Sequence, residues 1–167
     1  LVNYAEIIGG EEVTNGDFAT DSDWNKGTGI TIGSGVALFT SVSSGQQLSQ
    51  SSTPAVSGKT YKISYEIKTR TEGAFSASIG GALSLNQNSA VGVYTEYLTA
   101  TGAGIFYIRS RGTTSGSIDN VSVKEVTRDN VPRIDYTGGG CPHILAEPQR
   151  TNNLESTQDF TDTFWNT

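Results

Sequence analysis

The amino-acid sequence predicts an all-β protein, namely an antiparallel β-sandwich (jelly roll) with an extended N-terminal strand and a Pro/Gly-rich C-terminal arm. Three observations predict this fold. Apolar residues alternate with polar ones at a period close to two wherever a period is readable. Glycines interrupt the chain about every eight to twelve residues, the spacing that many short strands require. Nowhere do apolar residues recur at the spacing of an amphipathic helix.

The first predicted elements are an N-terminal strand and a β-hairpin. Residues 4–8 are apolar enough to form a strand of their own ahead of the sandwich. Residues 30–32 and 36–38 each place apolar side chains two positions apart, and a Gly-Ser-Gly triplet at 33–35 separates them. Two short alternating runs around such a triplet predict a hairpin.

The middle of the chain predicts further strands of the sandwich. Residues 61–67 and 75–79 alternate apolar and polar positions, with a turn expected between them at 71–73. Residues 105–108 are apolar on both faces, which indicates a central strand. The alternation in residues 118–123 slips by one position midway, and a β-bulge explains such a slip.

The chain divides into four predicted parts. Residues 1–10 form an N-terminal strand or arm, and residues 11–127 form the sandwich module. Residues 128–152 hold most of the prolines and a Gly-Gly-Gly triplet, a composition typical of an extended linker. Residues 153–167 repeat the opening of the module, because both segments contain Asp-Phe followed by Trp-Asn. This last part is therefore predicted to be the opening strand of a second module or a docking strand.

Composition and charge exclude several classes of protein. The formal net charge is −6. Binding to nucleic acid requires clustered Lys and Arg, so no nucleic-acid partner is expected. No apolar run approaches the roughly 20 residues of a membrane-spanning helix. A low content of charged residues together with many Gly, Ser and Thr residues fits an all-β protein of the extracellular space or of a virion surface.

The sequence offers no arrangement typical of an enzyme. His143 is the single histidine and Cys141 the single cysteine, and one proline separates them. This pair would need further ligands to hold zinc, and the chain contains no other Cys or His. The acidic residues show no spacing that favours a carboxylate pair for glycoside cleavage. The chain is therefore predicted to be non-catalytic.

Two stretches near the ends of the module resemble a known family. The segment Thr-Asn-Gly-Asp-Phe at 14–18 with the following Trp24, and the segment Ser-Ile-Asp-Asn-Val-Ser-Val at 117–123, resemble the first and last strands of jelly-roll carbohydrate-binding modules. The resemblance covers about residues 10–126 and implies the jelly-roll fold. After the first-strand Phe such modules usually carry an acidic residue, whereas this chain has Ala19, which departs from their calcium-site pattern.

A structural calcium ion is the one cofactor that the sequence indicates. Asp119 lies at the phase slip of the late strand, and Asp17 lies in the opening strand that is expected to pair nearby. Hard cations take carboxylate and backbone oxygens in such loops. Asp119 and Asp17 are therefore the candidate calcium ligands, with a structural rather than a chemical role.

The C-terminal part carries a second resemblance. Residues 132–142 read Pro-Arg-Ile-Asp-Tyr-Thr-Gly-Gly-Gly-Cys-Pro. Together with residues 145–160 they resemble a linker-and-module junction of tailed-phage fibre proteins and other virion appendage proteins. This resemblance implies a structural appendage built of repeated β-modules.

The leading hypothesis is therefore a structural subunit of a fibrous or filamentous assembly, either a phage appendage or an extracellular filament. Copies of the chain would join head to tail through their terminal strands. The partner would be the chain itself, because the apolar residues of the terminal segments would otherwise form an exposed patch. The residues expected to mediate assembly are Tyr4, Ile7, Ile8, Ile144, Leu145, Leu154, Phe160, Phe164 and Trp165.

The alternative hypothesis is a carbohydrate-binding module that recognises a surface polysaccharide. Sugar CH faces stack on aromatic rings, and planar polar side chains bind the hydroxyl groups. The candidate glycan-binding residues are Trp24, Tyr94, Tyr97, Tyr107 and Arg109, with Arg111 and Asn86 as further polar partners. An exposed Trp24 would favour sugar binding, and a buried Trp24 would favour a structural role for that residue.

Overall fold

The computed structural model describes the backbone of residues 6–127, 133–135 and 143–145, and the side chains of residues 7–51 and 55–126. Within these ranges every regular element is a β-strand and none is a helix, so no helix there is long and apolar enough to cross a membrane. The predicted all-β class is confirmed. The chain forms two compact units, Leu1–Arg128 and Asp129–Thr167. The four predicted boundaries stay a prediction.

The strands of the first unit build an antiparallel β-sandwich. In chain order they are β1 Glu6–Glu11, β2 Asn25–Lys26, β3 Ile30–Gly33, β4 Val36–Val42, β5 Gln47–Ala55, β6 Thr60–Ile79, β7 Ala82–Leu83, β8 Gly92–Thr99 and β9 Gly104–Thr127. The second unit contains β10 Arg133–Asp135 and β11 His143–Leu145, which pair antiparallel with Ile134 opposite Ile144.

Two long strands, β6 and β9, run through both layers of the sandwich. The front sheet has the order β2-β5-β9-β6-β7 and uses residues 104–111 of β9 and 74–79 of β6. The back sheet has the order β3-β4-β9-β6-β8 and uses the other half of each strand. The predicted N-terminal strand is β1, which pairs with the end of β9 in the back sheet. β6 and β9 therefore fix both layers at once.

The change of sheet occurs at a corner where the pairing of β6 and β9 shifts register several times between residues 67 and 74 of β6. The turn predicted at residues 71–73 is wrong, since β6 continues through them as one bent strand. Bulges bend a strand without reversing it. Gly73 therefore lies at a corner of the sandwich and not in a hairpin turn.

Other local predictions from the sequence are confirmed. β3 and β4 form the expected hairpin, closed by the pair Gly33 and Val36. The strand around residues 105–108 is central, because β9 has a neighbour on both sides there. The register slips near Asp119, where Asn120 has a positive φ of 52°. A bulge thus lies where the alternation changes phase.

The core lies between the two sheets and is rich in aromatic residues. Phe39 of the back sheet meets Phe75 of the front sheet edge to face, with ring centroids 5.0 Å apart. Trp24 packs between Phe18 and Phe106, at 5.3 Å and 6.3 Å. Such aromatic pairs add about 0.5–1.5 kcal/mol each beyond the burial of their area. The segment between β1 and β2 thus closes one side of the sandwich with its aromatic rings.

We predict that Gly73→Ala destabilises the module far more than Gly112→Ala. Both glycines have a positive φ, +70° and +73°, so either alanine costs about 1–2 kcal/mol of backbone strain. A Cβ at Gly73 would also lie 2.3 Å from the carbonyl oxygen of Thr113, whereas one at Gly112 meets no atom within 4 Å. This overpacking adds about 1–3 kcal/mol. Urea unfolding followed by circular dichroism measures the free energy of unfolding of both variants. Equal losses would contradict the close packing of Gly73 against Thr113.

Candidate functional site

The outer surface of the front sheet, which we call the front face, carries a group of polar side chains. On β9, Tyr107 and Arg109 alternate with Phe106 and Ile108, which are completely buried in the core. Because successive side chains of a strand point to opposite sides, Tyr107 and Arg109 lie on the outer side. Both are partly exposed there.

The antiparallel register places further polar residues beside these two. On the β5 side, Ser49 is paired with Tyr107 and Gln47 with Arg109. Directly paired residues on one face of a sheet have Cβ atoms about 4.5–5.5 Å apart. Gln47, Ser49, Tyr107 and Arg109 therefore form a compact two-by-two block, which we call the polar block.

The side chains of the polar block lack hydrogen-bond partners in the part of the chain that the structure describes. None of the side chains of Gln47, Ser49, Tyr107 and Arg109 forms a hydrogen bond or ion pair with another residue in the described part of the chain, although Arg109 Nε is buried. Within the described residues, Arg109 Nε is the one atom of the block that is buried without a partner, and buried polar groups in folded proteins almost always have one. A block of unused donors and acceptors on a sheet surface is the pattern expected where a polar ligand binds.

On the β6 side, the segment that follows β7 lies against the front face. Ser76 is paired with Arg109, and its hydroxyl donates to the carbonyl oxygen of Ser84 at 3.1 Å. Arg111 Nη2 makes two longer contacts, 3.3 Å to that carbonyl oxygen and 3.4 Å to Ser76 Oγ. Arg111 Nε is buried without an acceptor among the described residues. Arg111 therefore lies beside the polar block with part of its guanidinium unused.

An open groove of about 290 Å³ continues the polar block toward β2. Two members of the block, Gln47 and Ser49, lie in its wall. At its far end Lys26 forms an ion pair with Asp21. The groove is lined by Asn25, Lys26, Gly27, Gly45, Gln46, Gln47 and Ser49. No carboxylate is among these residues, so the groove offers a ligand hydrogen-bonding groups and the ammonium of Lys26.

Of the predicted glycan-binding residues, Trp24 is placed in the core. Its ring is only 7% exposed, and its Nε1 donates to the carbonyl oxygen of Asn15 at 2.9 Å. Asn15 itself binds the carbonyl oxygens of Thr20 and Ser22 through its amide, which folds the opening loop around the indole. A ring held in this way has no free face for a sugar, so Trp24 is not part of the site.

Tyr94 and Tyr97 lie on β8, in the back sheet, away from the polar block. Tyr94 packs on Tyr65 with ring centroids 5.9 Å apart, and its hydroxyl donates to the carbonyl oxygen of Ala90. Tyr97 is paired with Lys62 on the outer side of the back sheet. The structure therefore brings together only Tyr107 and Arg109 of the five candidates, with Arg111 beside them. Asn86 is exposed in the segment after β7.

The two candidate calcium ligands are not brought into a cluster. No group of three or more His, Cys, Asp or Glu side chains that could hold a metal ion occurs among the described residues. Asp17 accepts from the backbone N–H of Ala19, two residues on. Asp119 accepts from the N–H of Asn120 and lies 3.8 Å from the ammonium of Lys68. Each carboxylate therefore has a local partner within the protein.

The residues expected to mediate assembly are only partly described. Ile7 and Ile8 lie in β1, which pairs with β9 of the same chain, and their side chains are about half exposed. Ile144 and Leu145 lie in β11 and pair with β10. Tyr4, Leu154, Phe160, Phe164 and Trp165 lie outside the described residues, so their predicted role in assembly stays a prediction.

A buried polar cluster supports the opposite edge of the sandwich. The Asn88 amide donates to the Tyr65 hydroxyl at 2.7 Å and to Glu96 Oε1 at 2.9 Å. Burial raises the pKa of Tyr65 well above its usual value near 10, because the phenolate would lose its hydration, although the Asn88 hydrogen bond acts in the opposite direction. The hydroxyl therefore stays protonated at any physiological pH.

Comparison with known proteins gives distant structural similarity and no match in sequence. No family model matches the sequence, and no curated protein matches it. Among solved structures, the chain is similar to the module CBM1 of BiXyn10A in its apo form. The identity is 17%, the TM-score is 0.47, and the match covers 75% of this chain and 97% of that one. At this level of similarity, only the residues of this chain can indicate what it binds.

We predict that Trp24→Ala lowers the free energy of unfolding by about 3–5 kcal/mol, because it empties a packed aromatic site. Tyr97→Ala removes a half-buried ring from the outer side of the back sheet and serves as the control with a smaller loss. Chemical unfolding in urea measures both. An equal loss for the two variants would show that Trp24 does not have the core role that its contacts indicate.

We also predict that stability falls steeply as the pH rises above about 10. The folded state keeps Tyr65 protonated, whereas the unfolded chain releases this proton near its ordinary pKa. The folded state then binds more protons than the unfolded state, so the free energy of unfolding decreases with pH. Unfolding at pH 8–11 measures the slope. In Tyr65→Phe the slope should be shallower, and an unchanged slope would contradict the assignment.

Proposed function

We propose that the module is a non-catalytic carbohydrate-binding module that recognises a polysaccharide through its front face. The observation that carries the proposal is the polar block, in which Gln47, Ser49, Tyr107 and Arg109 make no side-chain hydrogen bonds to described residues. The groove beside the block extends from Gln47 and Ser49 to residues of β2, so a chain-like ligand on the block could continue into it. A polysaccharide ligand also agrees with the extracellular or virion-surface location that the composition predicts.

The chemistry of these side chains suits a sugar. The Tyr107 ring offers an apolar face with a polar tip, as aromatic residues do at partly wet interfaces. The planar groups of Gln47 and Arg109 present paired donors or acceptors that match vicinal hydroxyls. Ligand sites combine such apolar surface with a few fixed polar groups. Burial of Trp24 supports a structural role for that residue, and Tyr107 supplies the aromatic surface of the front face instead.

The strands beneath the front face hold these groups in place. Phe106 and Ile108, which alternate with Tyr107 and Arg109, are completely buried and fix the height and orientation of β9. Little side-chain ordering is then required when a ligand binds, because Arg109 is already partly buried. The filament hypothesis has no comparable support, since most residues that carry it lie outside the described ranges. It stays a prediction, as does the resemblance to phage fibre proteins.

We expect Tyr107→Ala to weaken binding to the retained polysaccharide at least tenfold, because it removes the aromatic surface of the site. Affinity electrophoresis of the full chain through gels that contain xylan, mannan, mixed-linkage glucan, polygalacturonate or alginate is the measurement. Tyr97→Ala is the matched control, because it removes the same side chain from the other sheet and should migrate like the unchanged protein.

Two results would contradict the proposal. The first is normal migration of the unchanged protein in every gel of the panel. The second is retention that Tyr107→Ala and Tyr97→Ala reduce equally. Thermal unfolding of both variants ensures that a loss of retention reflects the site and not the fold.

A further inference from the structure

The two arginines of the front face are cations without anionic partners. Both arginines lie beside Ser76, which is paired with Arg109 and lies 3.4 Å from Arg111 Nη2. Every ion pair found among the described residues uses a lysine, and none uses these arginines. The front face therefore carries two neighbouring uncompensated positive charges in a chain whose formal net charge is −6.

Two lysines of the back sheet, unlike the two arginines of the front face, have carboxylate partners among the described residues. Lys68 lies 3.5 Å from Glu66 and 3.8 Å from Asp119, and Lys124 lies 4.0 Å from Glu11. Carboxylates are thus abundant on the surface of this acidic module and are placed beside the lysines of the other layer. Their absence from the polar block and the groove lining is a property of the front face and not of the whole surface.

The charge and shape of the two guanidinium groups indicate what kind of ligand would compensate them. Nε of Arg109 and Nε of Arg111 are both buried and have no acceptor among the described residues. A buried donor without an acceptor costs about 1–3 kcal/mol, and more when it is charged. Carboxylate and sulfate groups accept two parallel hydrogen bonds from a guanidinium, and such charge-assisted bonds are about twice as strong as those to neutral hydroxyls.

Because the module has a negative net charge, an anionic ligand could be bound only by short-range contacts. A net charge of −6 repels a polyanion at long range, so an acidic polymer gains nothing from the general field of the protein. At physiological ionic strength that repulsion is screened beyond about 8 Å. Contacts at the two arginines then decide whether an acidic polymer binds, and lysines elsewhere on the surface do not.

We infer that the ligand of the front face is an acidic glycan, whose carboxylate or sulfate groups are bound by Arg109 and Arg111 while its sugar rings contact Tyr107. This inference rests on the proposed function and adds the substrate class. It predicts that the acidic groups of the polymer, and not only its hydroxyls, are required for binding.

The test compares one polymer with and without its charge. We expect the full chain to be retained by polygalacturonate, alginate or a sulfated glycan at least tenfold more strongly than by the methyl ester or desulfated form of the same polymer. Arg109→Gln should weaken binding to the acidic form at least tenfold and to the uncharged form less than twofold. Lys62→Gln removes one positive charge from the back sheet and should leave both affinities unchanged.

Arg109→Lys separates charge from geometry. It keeps the cation but loses the two-pronged donor, so its affinity for the acidic form should lie between that of the unchanged protein and that of Arg109→Gln. If either variant unfolds, the comparison of the two polymers with the unchanged protein still tests the inference.

The outcomes distinguish the two levels of the proposal. Equal or stronger binding to uncharged polymers, with a loss in Tyr107→Ala, would overturn the acidic ligand and leave carbohydrate binding in place. An equal effect of Lys62→Gln and Arg109→Gln would also overturn it, because the attraction would then be general. No retention by any charged or uncharged polymer would overturn the inference and the proposed function together.

Discussion

The structure depends on the corner at which β6 and β9 pass together from one sheet to the other. Both strands are bulged there, and Gly73 lies so close to Thr113 that no larger residue fits without a shift. Because the pair bends as a unit, its main-chain pairing continues on both sides of the corner. The register set in the back sheet is thereby carried into the front sheet, and one register error would move every side chain of the front face to the core.

The register of β9 therefore determines both which residues form the core and which residues form the front face. Burial of Phe106 and Ile108 requires that Tyr107 and Arg109 point outward, since neighbouring side chains of a strand cannot share a side. Core packing therefore makes the front face rigid. The apolar contacts beneath the face also offset the unfavourable free energy of its unpaired polar groups. The loop folded around Trp24 contributes from the open side of the sandwich by packing on Phe106.

Strand periodicity was readable from the sequence wherever one side of a strand is buried and the other is wet, as in residues 61–67 and 118–123. The corner at residues 71–73 could not be predicted from the sequence. A glycine with a positive φ occurs both in tight turns and in β-bulges, so Gly73 does not distinguish the two. Of the polar block, the aromatic residue and the arginine on β9 were predicted. Gln47 and Ser49 were missed, although Leu48 between them carries the alternation of β5, because polar residues that face solvent leave no hydrophobic signal.

The contrast between the two layers bears on how an acidic module keeps a basic surface. Carboxylates placed beside Arg109 or Arg111 would stabilise the folded chain locally, because they would satisfy buried donors. The module instead places its ion pairs at lysines, including Lys68 and Lys124 of the back sheet and Lys26 of β2, where exposed pairs contribute little to stability. Acidic partners beside Arg109 and Arg111 would therefore add stability, and none is found there among the described residues. That distribution is what the proposed acidic ligand would require, and stability alone does not explain it.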